Sequence, residues 1–433
     1  MNSVPPLCSL WLKKLNNRMT KLKYILFLTL SAFALDSFSQ EPQTVFEDTI
    51  NDKNVIKITS FNYYSSNHFN NALVDKFLFG GNISQELKDV NEARLGGINS
   101  IGGEMEQRID SYSPNINPFN KEKYGLMLSF SDNHFFSANI SSDIYRTAMY
   151  GNANYIGDTM DLSYMHMQYQ HYQKFSAGFY DKKTMSSIQV SFVTGSRAAN
   201  FHTANSFLLS HDDLDTVELQ LRGQGFSTNN FSPYWAFQGN GFSIDLNYNF
   251  MFQSKQGNRQ LINLRINNVG AIFWNKNSYD YYVDSTSTYT GFDVQNFLNQ
   301  DSIADNYNFV DTLGVIQSMR RYTDILPIEL AIEKMADRYA STKLQLIFGF
   351  KAILTPDYRP YLFVGGYYQP ISKFSLSTYI SYGGFAGIRW GLNFNYWPTE
   401  KLYFALGTVD MIGNISKNYG FGRSANFSMY FKM

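Results

Sequence analysis

Histidine is the residue type of this chain with the widest chemical repertoire, and no histidine stands in a catalytic or metal-binding motif. The sequence contains six histidines and one cysteine, Cys8. No two histidines have the His-Glu-x-x-His spacing of a zinc site, and cysteine ligands are lacking. His166 and His171 flank a predicted turn where they could bind a transition metal, but histidines in water at the rim of the fold are the expected arrangement. We therefore predict no metal site.

A second group of residues with metal-binding chemistry is acidic. His211 is followed by Asp212, Asp213, Asp215 and Glu218. Oxygen-rich clusters of this kind bind calcium, yet the spacing differs from that of an EF-hand loop and the turn glycine is missing. The expected arrangement is a solvated loop, with calcium binding as the alternative.

Motifs for nucleophilic catalysis or phosphate binding are also weak. The glycine pairs Gly223-x-Gly225 and Gly420-x-Gly422 do not precede a predicted helix, which a phosphate cradle requires. The Gly-x-Ser-x-Gly elbow of hydrolases does not occur. We predict no catalytic residue, no enzyme activity and no cofactor. A membrane hydrolase that assembles serine, histidine and asparagine from separate strands is the alternative.

The elements that position these residues are indicated by a period of two. From Phe242 to Phe252 the even positions are aromatic or aliphatic, while the odd positions are mostly small or polar. The same alternation returns from Ile388 to Tyr396. Because successive side chains of a strand point to opposite faces, each segment has one apolar aromatic face and one polar face.

Composition favours a strand-rich membrane protein over a helical one. Of 433 residues, 17% are aromatic, including 37 Phe and 31 Tyr. The mean hydropathy is −0.29, which is too polar for a bundle of membrane helices, and no run beyond the N-terminus approaches the ~18 apolar residues of a spanning helix. The formal net charge is zero, so charge gives no reason to expect a nucleic-acid partner.

The composition of the two faces favours an all-β transmembrane antiparallel β-barrel over a soluble sandwich. Sandwich exteriors carry many lysines and glutamates, whereas the polar faces here carry Asn, Gln, Ser and Gly. Tyrosine and tryptophan stand near strand ends, as in the interfacial girdles of barrels. Strand patterns run from Ser100 to the C-terminus, and we predict about 14 strands, within a range of 12 to 16. A secreted sandwich is the alternative.

Three segments are predicted along the chain. Residues 1–39 have a basic start, an apolar stretch and small residues before Gln40, which is typical of a cleaved signal peptide. Residues 40–97 are predicted to be a periplasmic lead-in with a helical, plug-like part. Residues 98–433 are predicted to form the barrel, with a long loop at 277–324. The export signal together with the barrel indicates the outer membrane of a Gram-negative cell.

Local patterns within these segments give further expectations. Spacing between Phe69 and Asp89 predicts one or two short helices, interrupted by glycines. The polar triplet Ser131-Asp132-Asn133 predicts a turn between two strands. Within the long loop, Val294–Asn299 and Thr312–Met319 have helix-like composition.

Isolated charges on the polar faces are candidates for the barrel interior. They are Asp245, Arg265, Lys351 and Arg389. Such charges could line a conduit and set its selectivity. The favoured interpretation is interior ion pairing that rigidifies the barrel.

Several short stretches in a particular order carry a resemblance to a known group. They are Met149-Tyr150-Gly151-Asn152, Asp161-Leu162-Ser163, Gly195-Ser196-Arg197, Ala204-Asn205, Ile244-Asp245-Leu246, the run from Ile266 to Trp274, and Leu326-Pro327. Through these stretches the chain resembles a family of uncharacterised outer-membrane β-barrels from Bacteroidota. That family is distantly similar to fatty-acid-transporter-like barrels and to membrane proteins of the type IX secretion system. The resemblance implies an outer-membrane barrel with a helical N-terminal portion, and it implies no activity.

Two non-enzymatic functions follow from these observations. The first is a scaffold or partner of an envelope or secretion machine, whose partners would be outer-membrane lipid and envelope proteins. The alternative is a transporter or channel for small or hydrophobic molecules, which the plug-like segment and the polar lumen favour.

Overall fold

The computed structural model describes residues 44–46, 53–212, 216–229, 233–253, 259–290 and 314–433. All of them belong to one compact unit, Phe38–Met433. The predicted signal peptide, residues 1–39, lies outside the described residues.

Fourteen antiparallel strands in this part of the chain close into a barrel, which confirms the predicted fold class and strand number. The ring closes where the first strand pairs with the last, from Val55 opposite Lys432 to Ser65 opposite Gly422. The barrel strands are β1 (Val55–Ser66), β2 (Ile98–Ser113), β3 (Tyr124–Ser141), β5 (His166–Asp181), β6 (Ser187–Thr203), β9 (Gly239–Gln253), β10 (Arg259–Thr290), β12 (Glu329–Met335), β13 (Leu344–Ile353), β14 (Arg359–Ile371), β15 (Phe374–Gly384), β16 (Ala386–Thr399), β17 (Leu402–Thr408) and β18 (Gly422–Lys432).

The two ends of the barrel differ in the length of their connections. One end holds Val55 and Lys432 and is called the termini end; short turns such as 182–186 and 400–401 join strands there. The opposite end is called the loop end, and its connections include 67–97 and 409–421. Transmembrane barrels show the same asymmetry between short turns and long loops.

Apolar side chains form a belt on the outside of the wall, as the alternation predicted. Ile244 on β9 and Trp390 on β16 are 41% and 43% exposed, and both lie on the outer face. Their sequence neighbours Ser243 and Arg389 point inward and are buried. A soluble sandwich would bury these apolar residues at its centre, so the structure excludes that alternative.

Four further strands extend the wall at the loop end. They are β4 (Thr159–Asp161), β7 (Phe207–Ser210), β8 (Thr216–Ser227) and β11 (Ile316–Ile325). The far half of β10 pairs with β8 on one side and with β11 on the other.

The prediction of a loop at 277–324 is therefore wrong over the described residues. Residues 277–290 continue β10, and 316–324 belong to β11. The tyrosines, threonines and valine of this segment favour strands, and pairing with β8 supplies the backbone hydrogen bonds. The predicted helix-like piece Val294–Asn299 lies outside the described residues, and of Thr312–Met319 the residues 316–319 belong to strand β11.

Helices lie mainly at the loop end and confirm the helices expected between Phe69 and Asp89. They are α1 (Asn71–Phe79), α2 (Gln85–Glu92), α3 (Ser142–Tyr150) and α4 (Met411–Ile415), and a short 3₁₀ turn, Pro118–Asn120, lies at the termini end. Asn70 caps α1 by accepting a hydrogen bond from the Leu73 amide. No helix among the described residues is long and apolar enough to cross a membrane.

The expected lead-in at 40–97 is wrong in one respect. Residues 55–66 form β1, a full barrel strand between β18 and β2. The helices follow this strand, so they are a loop-end connection, and the barrel begins at Val55 instead of residue 98. The error arose because β1 mixes polar and apolar residues on both faces, which weakens its period of two.

The predicted turn at Ser131-Asp132-Asn133 is also wrong. β3 runs through this triplet without interruption, and β5 runs through the presumed turn between His166 and His171. The two strands pair in continuous register, with Asp132 opposite Gln173. Cross-strand pairing holds these polar residues in extended backbone despite their preference for turns.

Candidate functional site

The candidate site is a polar cavity of about 280 Å³ inside the barrel. Its walls come from strands all round the ring, and the three residues Thr44, Val45 and Phe46 also line it. Phe46 donates its amide to the Ala336 carbonyl at 3.0 Å and packs among Leu261 and Met335 at the termini end. These three residues therefore lie within the barrel at the termini end of the cavity.

Lys351 is the centre of the charge network in this cavity. Its Nζ lies 2.5 Å from a carboxylate oxygen of Glu329 and 3.4 Å from one of Glu104. Glu104 stands on β2 and Lys351 on β13, which lie seven positions apart in the ring of fourteen. The ion pair to Glu104 therefore crosses the barrel between opposite walls.

Arg265 on β10 extends the network. Its Nε donates to Glu329 at 2.7 Å, and its Nη1 lies 3.3 Å from Glu333. Glu329 thus forms ion pairs with both Arg265 and Lys351. The carboxylates are buried, and two cations close by offset the cost of removing their charge from water.

Asp245 lies on another wall of the same cavity. Both of its carboxylate oxygens accept hydrogen bonds from Lys174 Nζ, at 2.8 and 2.6 Å. Lys174 also donates to the side chain of Asn268, and the Asn268 amide donates to Asp245 at 2.7 Å. Asn268 has a positive φ of 62°, at a bulge where β10 shifts register against β9. The irregular backbone thereby brings a third hydrogen bond to the carboxylate, from the backbone N–H of Asn268.

Arg389 lies apart from the other three predicted residues. It stands near the loop end, where its Nη2 donates to the Gly383 carbonyl at 2.7 Å and its guanidinium covers the ring of Tyr361. Its contacts support the turn between β15 and β16 and the packing of aromatic rings. Of the four candidates, the structure brings Asp245, Arg265 and Lys351 to one cavity and places Arg389 elsewhere.

Sequence reasoning missed several residues of this network. On β2 the residues Glu104, Glu106, Arg108 and Asp110 all line the cavity. Arg108 Nε donates to Asp110 at 2.7 Å, and Arg108 also donates to Gln189 on β6. A usable signal was present, because four ionisable residues at alternate positions lie on one face of a strand.

At the loop end, the connection between β13 and β14 folds onto the opposite wall. The Asp357 side chain is fully buried and accepts hydrogen bonds from Ser137 at 2.5 Å and Asn139 at 2.6 Å. His166 Nδ1 lies 2.7 Å from the same carboxylate. These contacts hold the connection across the mouth of the barrel. Ser137 and His166 each contact the aspartate separately, which differs from the serine–histidine–aspartate relay of hydrolases.

Aromatic side chains fill much of the remaining interior. Buried rings of Tyr63, Phe135 and Tyr358 surround Phe385 with centroid distances of 5.2–6.5 Å. Gly102 faces the Phe385 ring so closely that a Cβ there would lie 2.5 Å from it. The interior is therefore packed like a core above the charged cavity.

The predicted acidic cluster is only partly described. His211 Nε2 lies 3.8 Å from the Glu218 carboxylate. Asp213 and Asp215 lie outside the described residues, so the calcium alternative stays a prediction.

Comparisons with known proteins give a family and a set of similar folds. A model described as "Family of unknown function (DUF5723)" matches residues 54–408. No curated protein sequence matches the chain.

Several solved outer-membrane structures are similar to this one at low identity. A TodX deltaS2S3 mutant, a monoaromatic hydrocarbon channel, has 8% identity and a TM-score of 0.44, over 88% of this chain and 90% of that one. A FadL homologue from Pseudomonas aeruginosa has 11% identity and a TM-score of 0.32, over 88% and 89%. The toluene transporter TodX from P. putida has 8% identity and a TM-score of 0.28, over 91% and 94%.

Proposed function

We propose that this chain, which belongs to the DUF5723 family of unknown function, crosses the outer membrane as a filled β-barrel and supports a protein partner there without catalysing a reaction. Membership confirms the expected resemblance to an uncharacterised family. A source in Bacteroidota and a cleaved signal peptide stay predictions.

The apolar outer belt supports the membrane location. Outward side chains such as Val364, Ile380 and Phe394 are exposed in the isolated chain, and hydrocarbon would cover them. Each of the fourteen described barrel strands pairs with a neighbour on both sides, as a lipid environment requires. By analogy with other barrels, the loop end would face the cell exterior.

The ion pair between Glu104 and Lys351 is the main observation that supports a filled barrel. It joins opposite walls and stands in the lumen, so a solute on a central path would have to separate the pair. Separating a buried pair leaves uncompensated charges in a low-dielectric interior, which typically costs about 3–5 kcal/mol. The linked contacts of Arg265 add to this barrier. A static interior suits a barrel that supports a partner better than one that conducts.

Exposed apolar residues at the loop end support a protein partner. Phe77, Leu78 and Phe79, at the end of α1, are 64%, 52% and 63% exposed. Consecutive apolar side chains outside the belt are unusual on a surface that faces water, and such patches commonly mark interaction sites.

Conductance in planar bilayers tests whether the barrel is filled. The full-length protein is expected to give no steady conductance. A variant that lacks residues 40–54, which include Thr44, Val45 and Phe46, is expected to stay silent as well, because the Glu104–Lys351 pair remains. Steady channel openings in the wild type would contradict the proposal.

Photo-crosslinking in cells tests for the partner. A photoreactive residue at Phe77 or Phe79 is expected to form adducts with another envelope protein. The same residue at Phe394 on the outer belt serves as the matched control and is expected to give no protein adduct. Adducts formed only between copies of this chain, or none at all, would overturn the partner role.

A gated transporter for small or hydrophobic molecules is the second candidate function. The observation that favours it is the cavity with Thr44, Val45 and Phe46 at its termini end. Movement of this segment would open the cavity at that end. Under this alternative the variant lacking residues 40–54 would conduct while the wild type stays silent, which separates the two functions.

A further inference from the structure

Two histidines and an aspartate meet on the outer face of the barrel wall. His134 on β3 lies directly opposite His171 on β5, and Asp132 is two residues before His134. One ligand atom from each of the three residues lies within 4.8 Å of the others. The cluster joins residues from two strands, so it forms only when β3 and β5 pair in this register.

The strand alternation places this cluster outside the lumen. Leu128 and Phe175, each four residues away from a member of the cluster along β3 or β5, are about half exposed on the outer apolar belt. Lys174, which follows the opposite alternation, points inward to Asp245. Asp132, His134 and His171 therefore continue the lipid-facing rows toward the loop end.

The cluster is nevertheless buried, because residues 233–238 lie over it. The His171 side chain is fully buried, and the Tyr234 ring lies 4.5 Å from it between centroids. Gln238 anchors the segment to β6 through its amide, which donates to the Gly195 carbonyl at 2.8 Å, and through its side chain, which donates to the Ser196 carbonyl. Trp235 lies next to Tyr234 and is exposed.

Tyr234 adds a fourth polar atom to the cluster. Its hydroxyl lies 2.6 Å from His134 Nε2 and 3.5 Å from Asp132 Oδ2. His171 Nε2 lies 2.8 Å from Asp132 Oδ1. Two imidazole nitrogens, a carboxylate oxygen and a phenol oxygen thus converge beneath a covering segment.

We propose that Asp132, His134, His171 and Tyr234 bind a divalent first-row transition-metal ion that clips residues 233–238 to the outer wall. Imidazole nitrogen and carboxylate oxygen are the ligands that Zn²⁺ prefers beside thiolate, and four ligands complete a tetrahedral structural site. Neighbouring ligand atoms in such a site are about 3.3 Å apart, given bonds of about 2.0 Å. The separation of 3.6 Å between His134 Nε2 and Asp132 Oδ2 is close to that value.

Supporting contacts outside the ligand set orient the side chains. His134 Nδ1 lies 3.0 Å from the Tyr169 hydroxyl, so Nε2 is the ring nitrogen that contacts the other members of the cluster. The Gln173 side chain donates to Asp132 at 2.7 Å and accepts from Thr194 and Ser196 on β6. Partners of this kind set the orientation of ligands and raise metal affinity.

Metal binding would require a movement of the two imidazole rings and would bring the ion close to a positive charge. The imidazole rings of His134 and His171 stack with centroids 3.9 Å apart and planes 8° apart, so each ring must rotate to aim Nε2 at a shared ion. Arg197 lies opposite His171 in the pairing of β5 with β6, and its positive charge opposes a cation. Negative charge on Asp132 offsets it, and the Tyr234 hydroxyl would add a second negative charge by releasing its proton to water when it binds the ion.

Titration of the purified full-length protein with Zn²⁺ in detergent tests the site. One ion per chain is expected, and His134→Ala and His171→Ala are each expected to weaken binding by more than about tenfold. Arg197→Gln is expected to tighten binding. His202→Ala is the matched control, since that histidine contacts Gln224 away from the cluster, and it is expected to bind like the wild type.

A second measurement protects the test against misfolded variants. Each variant is first checked for barrel content by circular dichroism, and Asp132→Asn serves where an alanine variant does not fold. Bound Co²⁺ is expected to show the strong visible absorption of a tetrahedral site in the wild type, and Tyr234→Phe is expected to weaken or shift it. Equal loss of binding in His202→Ala, an unchanged affinity in folded His171→Ala, or no stoichiometric binding would overturn the proposal.

Discussion

At Lys351 one ammonium group holds two carboxylates inside the barrel. Glu329 lies four residues before Glu333 on β12, and Arg265 contacts both carboxylates, so the lysine belongs to a chain of alternating charges. Each member has a partner and exposes at most 16% of its side chain, which is the condition under which ionised groups remain stable away from water. A single substitution in this chain therefore affects residues on several strands.

Lys351→Ala is expected to destabilise the barrel by about 3–5 kcal/mol, because Glu104 loses its cation and Glu329 keeps only Arg265. The free energy of unfolding in urea, measured in lipid vesicles, checks this. Arg320→Ala is the matched control, since Arg320 forms an exposed pair with Asp280 and its loss is expected to cost less than about 1 kcal/mol. Equal effects of the two substitutions would contradict the buried network.

Among the elements, α1 and α2 depend on a pair of buried asparagines. The Asn70 amide donates to Asn91 Oδ1 at 2.9 Å, and Asn91 Nδ2 donates to Asn70 Oδ1 at 3.2 Å. The same Asn70 oxygen caps α1. Asn71 then ties α1 to the connection before β18 through the carbonyls of Gly413 and Gly422. The two helices are thus joined to the barrel by polar contacts as well as by packing.

Asn70→Ala is expected to loosen α1 and α2 while the strands stay folded. The lost cap costs about 1 kcal/mol, and the unpaired buried Asn91 adds about 1–3 kcal/mol. Hydrogen exchange is expected to speed up in residues 71–92 and to stay slow in β13 to β16. Gln85→Ala serves as the control, because this exposed residue donates a hydrogen bond to Asp89 on the same helix, and its exchange is expected to match the wild type. Faster exchange throughout the barrel would contradict this local role.

For the whole molecule, the apolar outer belt determines that the barrel is more stable in a lipid bilayer than in water. Ile380 lies midway along β15 on the outer face and is 60% exposed, whereas Met319 is similarly exposed on β11, beyond the barrel proper. Both residues are apolar and accessible in the isolated chain. Only the first would lie in hydrocarbon if the belt spans a membrane.

Ile380→Arg is expected to lower the free energy of unfolding in lipid vesicles by about 2–4 kcal/mol, because a guanidinium at the bilayer midplane is poorly solvated. Met319→Arg is expected to change it by less than about 1 kcal/mol. Urea-induced unfolding in vesicles measures both. If Ile380→Arg left the free energy of unfolding unchanged, and if the protein folded in water without detergent, the proposed membrane location would be wrong.

The sequence alone determined the fold class, the number of strands and the direction in which their faces point. This succeeded because a strand alternates its side chains residue by residue, so the eleven residues 242–252 indicate by themselves which side chains share a face. The helices near Phe69 were predictable for the same reason, since caps and helical spacing are local. Strand β1 and the far half of β10 escaped prediction, because their local patterns are weak and their pairing with distant strands stabilises them.

Only the tertiary structure decided which polar residues meet. Glu104 and Lys351 are 247 positions apart in sequence, and their contact depends on how fourteen strands close into a ring. His171 was assigned to a predicted turn at the rim, yet strand register places it directly opposite His134, and residues 233–238 cover both from outside. Local sequence encodes which face a side chain occupies, whereas its partner depends on ring closure and register, which arise from contacts along the whole chain.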